Sequence, residues 1–294
     1  MFKIIRIRKV WYIISGILML LSISSLFIFG LRAGIDYSGG TIITYETNNS
    51  SANQIIESKI KEMSINSYQV KPSGDNQLIV KTINLNSNQH QELTQNIQKE
   101  IPDIQEVKYD SIGPSVGKDL KNRSIIAISV ASFAIIVFIA FAFRKVPKPL
   151  KSWKFGFLAV IALLHDLLIT TGLVSLLGYF FVWMEVDALF ITALLTVMGF
   201  SVHDTIVIYD RLRENFIKNP HKSIERVAEE SVNQTLARSI NTSLTTIIVL
   251  TALFFLGGMT IRHFILVLII GILIGTYSSI FVAAPLLVSW HKQR

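Results

Sequence analysis

Unbroken apolar stretches are the feature of this sequence that most limits its fold. There are six, between 16 and 28 residues long, and a helix needs about 20 residues to cross a hydrocarbon core of roughly 30 Å. Only 16% of the 294 residues are charged, whereas average globular sequences carry about 25%. We therefore predict a polytopic α-helical membrane protein with six transmembrane helices. The predicted spans are 10–29, 124–143, 155–181, 186–209, 241–256 and 263–290.

The distribution of basic residues predicts the orientation, because short loops rich in Lys and Arg stay in the cytoplasm. Basic residues cluster before the first span, in the link 144–154 and in the link 211–238. The turns on the other side carry no basic residue apart from Arg262. We expect both termini in the cytoplasm, and we assign the net charge of +8 to these loops rather than to nucleic-acid binding.

The polar segment between the first two spans has the pattern of a small α+β domain. Its periodicity alternates between strand and helix in the order β-α-β-β-α-β, which is that of a ferredoxin-like split βαβ fold. The predicted division is therefore 1–30 for the cytoplasmic N-terminus and first span, 31–123 for an extracytoplasmic ferredoxin-like domain, and 124–294 for five further spans. Within the last part, 210–240 is predicted to be a cytoplasmic amphipathic segment that lies along the inner membrane surface.

Ionisable residues inside the spans are the candidate functional residues, because a charge in the bilayer costs several kcal/mol. Asp166 lies about 18 Å along the third span by helix rise, close to the midplane, and we assign it mainly to packing and hydration. Asp204 lies in the fourth span, about 9 Å inside its cytoplasmic end. His203 points about 100° away from Asp204 on the same helix.

The fifth span carries a polar stripe that begins with Arg238 and continues through Thr242 and Thr245. We expect this stripe to face the fourth span, with Arg238 paired to Asp204. The hydroxyl groups alone could bond back to carbonyls one turn earlier, but a stripe headed by an arginine requires a further explanation. Two alternatives are open: an ion relay between Asp204 and Arg238, or a static structural ion pair.

Two short motifs flank the spans. Gly34, Asp36, Gly39 and Gly40 follow the first span, where the glycines indicate either a flexible exit from the membrane or a backbone with positive φ and close contacts. Asp210 and Arg211 mark the cytoplasmic end of the fourth span and by themselves indicate a solvated helix end.

The sequence offers no basis for enzymatic chemistry. It has no cysteine, which excludes a thiol nucleophile and an iron–sulfur cluster. It also contains no nucleotide-binding motif and no cluster of residues with metal-ligand spacing. We therefore expect no catalytic residue, no metal and no cofactor, so that any work must draw on an external source of energy.

Three segments resemble a known family. Residues 34–41, residues 199–215 across the fourth span, and residues 233–243 before the fifth are similar to the SecD/SecF family of bacterial protein-export membrane proteins, which belongs to the RND superfamily. The motif of the fourth span is long and specific, and the resemblance covers the whole chain with its six spans and one external domain.

This resemblance implies a partner and an energy source. A six-span chain of this family is expected to pair with a SecD-like subunit in the bacterial cytoplasmic membrane. Together they would assist the SecYEG channel, with YajC as a further possible partner, and pull unfolded preproteins outward after the SecA ATPase has pushed them in. The proton-motive force would drive this step.

The resemblance also places residues at functional positions. Asp204 and Arg238 fall at the ion-coupling positions of the family, with Asp166, Thr242 and Thr245 as supporting candidates. His203 stands where many relatives carry a non-ionisable Asn, so its role is open. Both H⁺ and Na⁺ are candidate coupling ions.

Two functions of other classes compete with protein export. An RND-type exporter of small apolar molecules would need a large external domain with a substrate pocket, and about 90 polar residues are too few for one. A passive scaffold of the translocon would leave the buried Asp204 and the polar stripe of the fifth span without an explanation.

Overall fold

The structure is a computed structural model that describes residues 2–65, 67–73, 76–143, 152–181 and 183–292. Most of the predicted basic link 144–154 therefore lies outside the described residues. The chain divides into two compact units. The helical unit comprises Met1–Arg32, Ile126–Glu185 and Leu189–Arg294, and the sheet unit comprises Ala33–Ile125 with Val186–Ala188.

The elements follow one another in a simple order. They are α1 (Arg8–Ile28), α2 (Ile35–Ser38), β1 (Gly40–Glu46), α3 (Ala52–Glu62), β2 (Tyr68–Ser73), β3 (Gln77–Thr82), α4 (Ser87–Glu100), β4 (Gln105–Ile112), α5 (Pro114–Ala142), α6 (Ser152–Phe180), α7 (Ala188–Lys218), α8 (Ile224–Leu256), α9 (Met259–Ser278), a π-helical turn (Ser279–Ala283) and α10 (Ala284–Lys292).

The sheet unit confirms the predicted ferredoxin-like fold. Its four strands have the order β2-β3-β1-β4, and all neighbouring strands are antiparallel. Helix α4 begins at a capping box in which Asn86 and Gln89 satisfy each other's backbone N–H groups. Burial in the core raises the pKa of Tyr45 to about 12, and its hydroxyl is hydrogen-bonded to that of Thr94. The buried apolar side chains include Ile43, Val80, Ile56, Ile60, Leu93 and Ile97.

The helical unit confirms the predicted six spans. Within the described residues, six helices are long and apolar enough to cross a membrane: α1, α5, α6, α7, α8, and α9 with its continuation into α10. Side chains of α6, α7 and the α9–α10 segment are the most buried, whereas those of α1, α5 and α8 are largely exposed. Helix α6 packs against α1 and α9, and α8 packs against α9.

The structure differs from the prediction between positions 210 and 240. Helix α7 continues to Lys218, and α8 begins at Ile224, where the hydroxyl of Ser223 accepts a hydrogen bond from the backbone of Arg226. A helix of 33 residues is about 50 Å long, longer than the roughly 30 Å hydrocarbon core. The N-terminal part of α8 packs against α7. The segment predicted to lie along the membrane surface is therefore the first half of a continuous helix. Its buried apolar residues include Ile224, Val227, Ala228 and Val232.

The glycine motif after α1 forms a defined turn rather than a flexible exit. Gly39 and Gly40 have φ values of 72° and 139°, which side chains other than glycine rarely adopt. A Cβ atom at Gly40 would lie 2.8 Å from the carbonyl oxygen of Thr82. The Asp36 carboxylate accepts a hydrogen bond from the backbone N–H of Ala188, and the Gly34 N–H donates to the carbonyl of Val186. The motif thus joins α2 to the start of α7.

Small residues allow close contacts between helices of the helical unit. A Cβ atom at Gly172 in α6 would lie 2.5 Å from the backbone Cα of Ser22 in α1. At Gly271 in α9 it would lie 2.2 Å from a methyl group of Val197 in α7. Glycine at these positions lets the backbones approach, as is common between membrane helices.

The substitution Gly172→Ala is expected to destabilise the helical unit. The new methyl group would meet the backbone of α1, which cannot move aside by changing rotamer, and such overpacking costs about 1–3 kcal/mol. Thermal unfolding of the purified full-length chain in one detergent measures the effect. Gly16→Ala is the matched control, because no heavy atom lies within 4 Å of its added Cβ. Equal unfolding temperatures for the two variants would contradict this packing.

Candidate functional site

Two buried carboxylates lie in the central helices. Asp166 in α6 is 0% exposed and Asp204 in α7 is 5% exposed. Because an isolated charge is strongly disfavoured in the bilayer interior, such residues pair with other polar groups or serve a function. The surroundings of these two side chains therefore define the candidate site.

Asp166 is bonded on both carboxylate oxygens. The hydroxyl groups of Ser201 and Ser278 donate to its Oδ2 at 2.5 and 2.7 Å. Nδ1 of His165 lies 2.9 Å from its Oδ1. The three partners come from α6, α7 and α9, so that this one side chain links three helices.

Asp204 has fewer partners than Asp166. The hydroxyl of Ser279 lies 3.4 Å from its Oδ2, and the carbonyl oxygen of Thr276, at 3.0 Å, competes for the same hydrogen. The buried hydroxyl of Ser239 in α8 also faces the carboxylate, but its Oγ makes no hydrogen bond within normal geometric limits. Asp204 is thus nearly enclosed but only weakly held.

The local sequence explains how the two carboxylates come to share one region. Ser201 and Asp204 are three residues apart in α7 and therefore lie on one face. Ser278 and Ser279 are consecutive, and each bonds to a different carboxylate. The π-helical turn begins at Ser279, and such turns within helices are frequent at functional sites.

The predicted contact between Arg238 and Asp204 is wrong. In the described part of the chain Arg238 is not among the groups that interact with Asp204, and its side chain is exposed. Consecutive helical residues differ by about 100° in direction, so Ser239 occupies the inner face and Arg238 does not. The buried polar residues of α8 are Ser231, Thr235, Ser239 and Ser243.

The remaining members of the predicted stripe also lie on the exposed side of α8. Thr242 and Thr245 are exposed, and the Thr245 hydroxyl donates to the carbonyl of Thr242 at 2.9 Å. His203 in α7 is exposed as well. The structure therefore separates the candidates into a buried group around Asp166 and Asp204 and an exposed group of His203, Arg238, Thr242 and Thr245.

The motif at the end of α7 fixes the hairpin between α7 and α8. Arg211 donates from Nε to the side-chain oxygen of Gln234 and from Nη1 to Glu214, both at 2.6 Å. Asp210 lies 3.8 Å from Arg213 one turn later. Arg211 thus ties the two helices together, which is a structural role.

The sequence reasoning did not identify Ser239, Ser278 or Ser279. A signal was present for two of them, because Ser278 and Ser279 are adjacent hydroxyl residues in the largely apolar last span. Their partners could not be assigned, since this requires the relative rotation of α6, α7 and α9. Ser239 was missed because the neighbouring Arg238 led to the prediction that the Arg238 face of α8 points inward.

The chemistry available at the site is that of carboxylates, hydroxyls and one imidazole. In the described residues no group of three or more His, Asp and Glu side chains has a geometry suited to a metal ion. The buried carboxylates can bind and release a proton or a small cation, and the hydroxyls can follow the resulting change of charge.

Comparisons with known proteins identify the family. Residues 91–293, more than half of the chain, match the family described as "Protein export membrane protein SecD/SecF, C-terminal". Proteins named "Protein translocase subunit SecF" are 42% identical in Thermobaculum terrenum, over 100% of this chain and 95% of that protein, and 37% identical in Anaerolinea thermophila, over 99% and 95%.

A longer relative of known structure shares the whole fold. The crystal structure of SecDF from Thermus thermophilus, titled a translocon-associated membrane protein, matches with a TM-score of 0.85 and 31% identity. The match covers 100% of this chain but only 39% of that chain. The full-length agreement with SecF proteins, together with the fold, shows that this chain belongs to the SecD/SecF family of protein-export membrane proteins.

Proposed function

We propose that the chain is an accessory subunit of a Sec protein translocase and that ion movement through its helical unit drives preprotein export. The observation that carries this proposal is Asp204, a buried carboxylate held by one long hydrogen bond. A relay group must exchange its proton or ion readily, and a weakly held carboxylate meets that requirement better than a fully bonded one. A static ion pair has no support, because Arg238 does not contact Asp204.

A change of charge at Asp204 can alter how the helices pack. When the carboxylate is ionised, it attracts the hydroxyl hydrogens of Ser279 and Ser239. When it is neutral, these attractions weaken, and α7 is less strongly held to the π-helical turn. A membrane potential supplies about 2.3 kcal/mol per charge per 100 mV, enough to bias such a two-state element. Residues 186–188 at the start of α7 belong to the sheet unit, so movement of α7 would reach that unit through the backbone.

The exposed polar group indicates a partner subunit. Arg238, Thr242 and Thr245 of α8 and His203 of α7 lie on the outside of this chain. An arginine that faces lipid is costly at membrane depth, so another protein surface is needed there. The Thermus thermophilus protein named SecDF aligns to this chain over 38% of its own length, which supports a SecD-like subunit as that partner. Arg238 would then act in the ion path at the subunit boundary.

The remaining assignments follow from the family and from the loop charges. The proposed further partners are the SecYEG translocon, YajC and the unfolded preprotein. The proposed location is the bacterial cytoplasmic membrane, with both termini in the cytoplasm and the sheet unit outside. The small-molecule exporter and the passive scaffold are not favoured, since the relatives are named protein translocase subunits.

The substitution Asp204→Asn is expected to abolish the response of export to an ion gradient. It preserves the shape of the side chain but fixes the neutral state. Gradient-driven completion of preprotein transport should fall at least ~10-fold, since about 1.4 kcal/mol already corresponds to a factor of ten. The assay uses inverted vesicles with an imposed H⁺ gradient and, separately, an imposed Na⁺ gradient. Asp119→Asn, the same change at an exposed residue, is the control. A full response in Asp204→Asn vesicles would refute the proposed function.

The substitution Arg238→Gln should impair export without destabilising this chain. Arg238 is exposed in the chain alone, so unfolding of the purified chain should change by less than about 0.5 kcal/mol, as for other surface sites. Vesicles that contain SecYEG, a SecD-like subunit and the variant should lose most gradient-driven transport. Lys121→Gln in α5 is the matched control for loss of a cation. Unimpaired transport by Arg238→Gln, or full activity without a SecD-like subunit, would contradict the assigned boundary role.

A further inference from the structure

The second buried carboxylate is built differently from Asp204 and has a different potential function. Asp166 is enclosed completely, and its two oxygens receive bonds from Ser201, Ser278 and His165. In its ionised state, the carboxylate accepts all of these bonds. His165 then donates its Nδ1–H to Oδ1, and its proton is placed on Nδ1.

The other nitrogen of this histidine is unpaired. The side chain of His165 is 4% exposed, and in the described residues its buried Nε2 has no hydrogen-bond partner. With Nδ1 protonated, Nε2 carries an unused lone pair. An unsatisfied buried polar group costs about 1–3 kcal/mol, and native structures seldom retain one without a reason. Nε2 is therefore the atom of this cluster that is available to accept one more proton.

The charge balance of the cluster favours such an uptake. Ionised Asp166 and neutral His165 together carry one negative charge in an apolar helix bundle. One proton from water at Nε2 converts them into a neutral carboxylate–imidazolium pair, and its release restores the first state. Tyr277 of α9 packs beside the pair, with its ring centroid 6.3 Å from that of His165, and Asp204 lies three residues after Ser201, a donor to Asp166. The Tyr277 hydroxyl is hydrogen-bonded to Ser15 of α1.

The cluster is joined to Asp204 through two short connections. Ser201, a donor to Asp166, precedes Asp204 by three residues in α7. Ser278 and Ser279 are consecutive and donate to Asp166 and Asp204 respectively. We propose that His165 and Asp166 form a second proton-binding site in the helical unit and that the Ser278–Ser279 pair couples it to Asp204.

This inference rests on the proposed ion coupling, which gives the second proton-binding site a function. The test of the site itself does not depend on protein export. It also changes the expectation that Asp166 serves mainly packing and hydration. A Na⁺ ion would require several oxygen ligands around it, whereas the unpaired group here is a nitrogen. The ligand assigned to the site is therefore H⁺.

Nitrogen-15 NMR of histidine-labelled full-length chain in lipid vesicles tests the site. The chain has six histidines, and His165→Gln assigns the signal of interest. We expect Nε2 of His165 to take up one proton as the pH falls, and Na⁺ at constant pH to leave the signal unchanged. In Asp166→Asn, His165 should bind its proton at least ~10-fold more weakly, because the imidazolium loses the carboxylate that lies 2.9 Å from its Nδ1.

Matched variants separate this site from a purely structural cluster. The exposed His203 should keep its proton affinity in Asp166→Asn. Ser175→Ala removes a buried hydroxyl that donates to backbone carbonyls in α1 and at its end, and it should leave His165 unchanged. Ser278→Ala should tighten proton binding at His165, since the carboxylate loses one stabilising donor. Coupling through the Ser278–Ser279 pair also predicts that Asp204→Asn changes proton binding at His165 and that Ser278→Ala reduces this change. Thermal unfolding checks that each variant folds, and Ser278→Ala provides the readout if Asp166→Asn does not fold.

Two results would overturn the inference. One is a His165 signal that does not change over the pH range in which the chain stays folded. The other is a His165 titration that is the same in wild type, Asp166→Asn and Ser278→Ala. A normal His165 titration together with an unimpaired Asp204→Asn in the export assay would instead refute the proposed function and leave the proton site intact.

Discussion

The rest of this structure depends on the cost of placing a carboxylate among apolar helices. An unpaired charge at membrane depth costs several kcal/mol, and two carboxylates, Asp166 and Asp204, are buried in the helical unit. Hydroxyl groups from neighbouring helices and the imidazole of the adjacent His165 meet this cost only in part. Asp166 is fully bonded, whereas Asp204 has one long bond. This inequality leaves Asp204 the more weakly held of the two carboxylates, whereas Asp166 also links α6, α7 and α9 through Ser201 and Ser278.

Small residues make that arrangement possible. Gly275 in α9 lies so close to Ser201 that an added Cβ would come within 2.9 Å of the serine Cβ. The close approach of α7 and α9 brings Ser201 and Ser278 onto the same carboxylate oxygen. The π-helical turn that follows α9 directs Ser279 towards Asp204. The close packing of these helices therefore positions the hydroxyl groups that contact the two carboxylates. A change in the packing would also change the candidate site.

The sequence predicted what depends on local periodicity and length. Six spans and the β-α-β-β-α-β order follow from apolar runs and alternation, and the structure confirms both. The inward face of α8 was predicted wrongly, because Arg238 and Thr242 are as polar as Ser239 and Ser243 and only contacts with other helices distinguish the two stripes. The partners of Asp166 could not be predicted for the same reason, since Ser201 and Ser278 are 35 and 112 residues away from it in the sequence.

The most direct measurement of the central claim is the distance between α7 and α9 as a function of the charge on Asp204. The chain has no cysteine, so spin labels at Ile217→Cys and Leu273→Cys, both exposed positions, report on these helices alone. In wild-type chain with its SecD-like partner, we expect the distance distribution to change with pH. In Asp204→Asn it should stay at the low-pH distribution at every pH. The same pH response in both proteins would contradict the account.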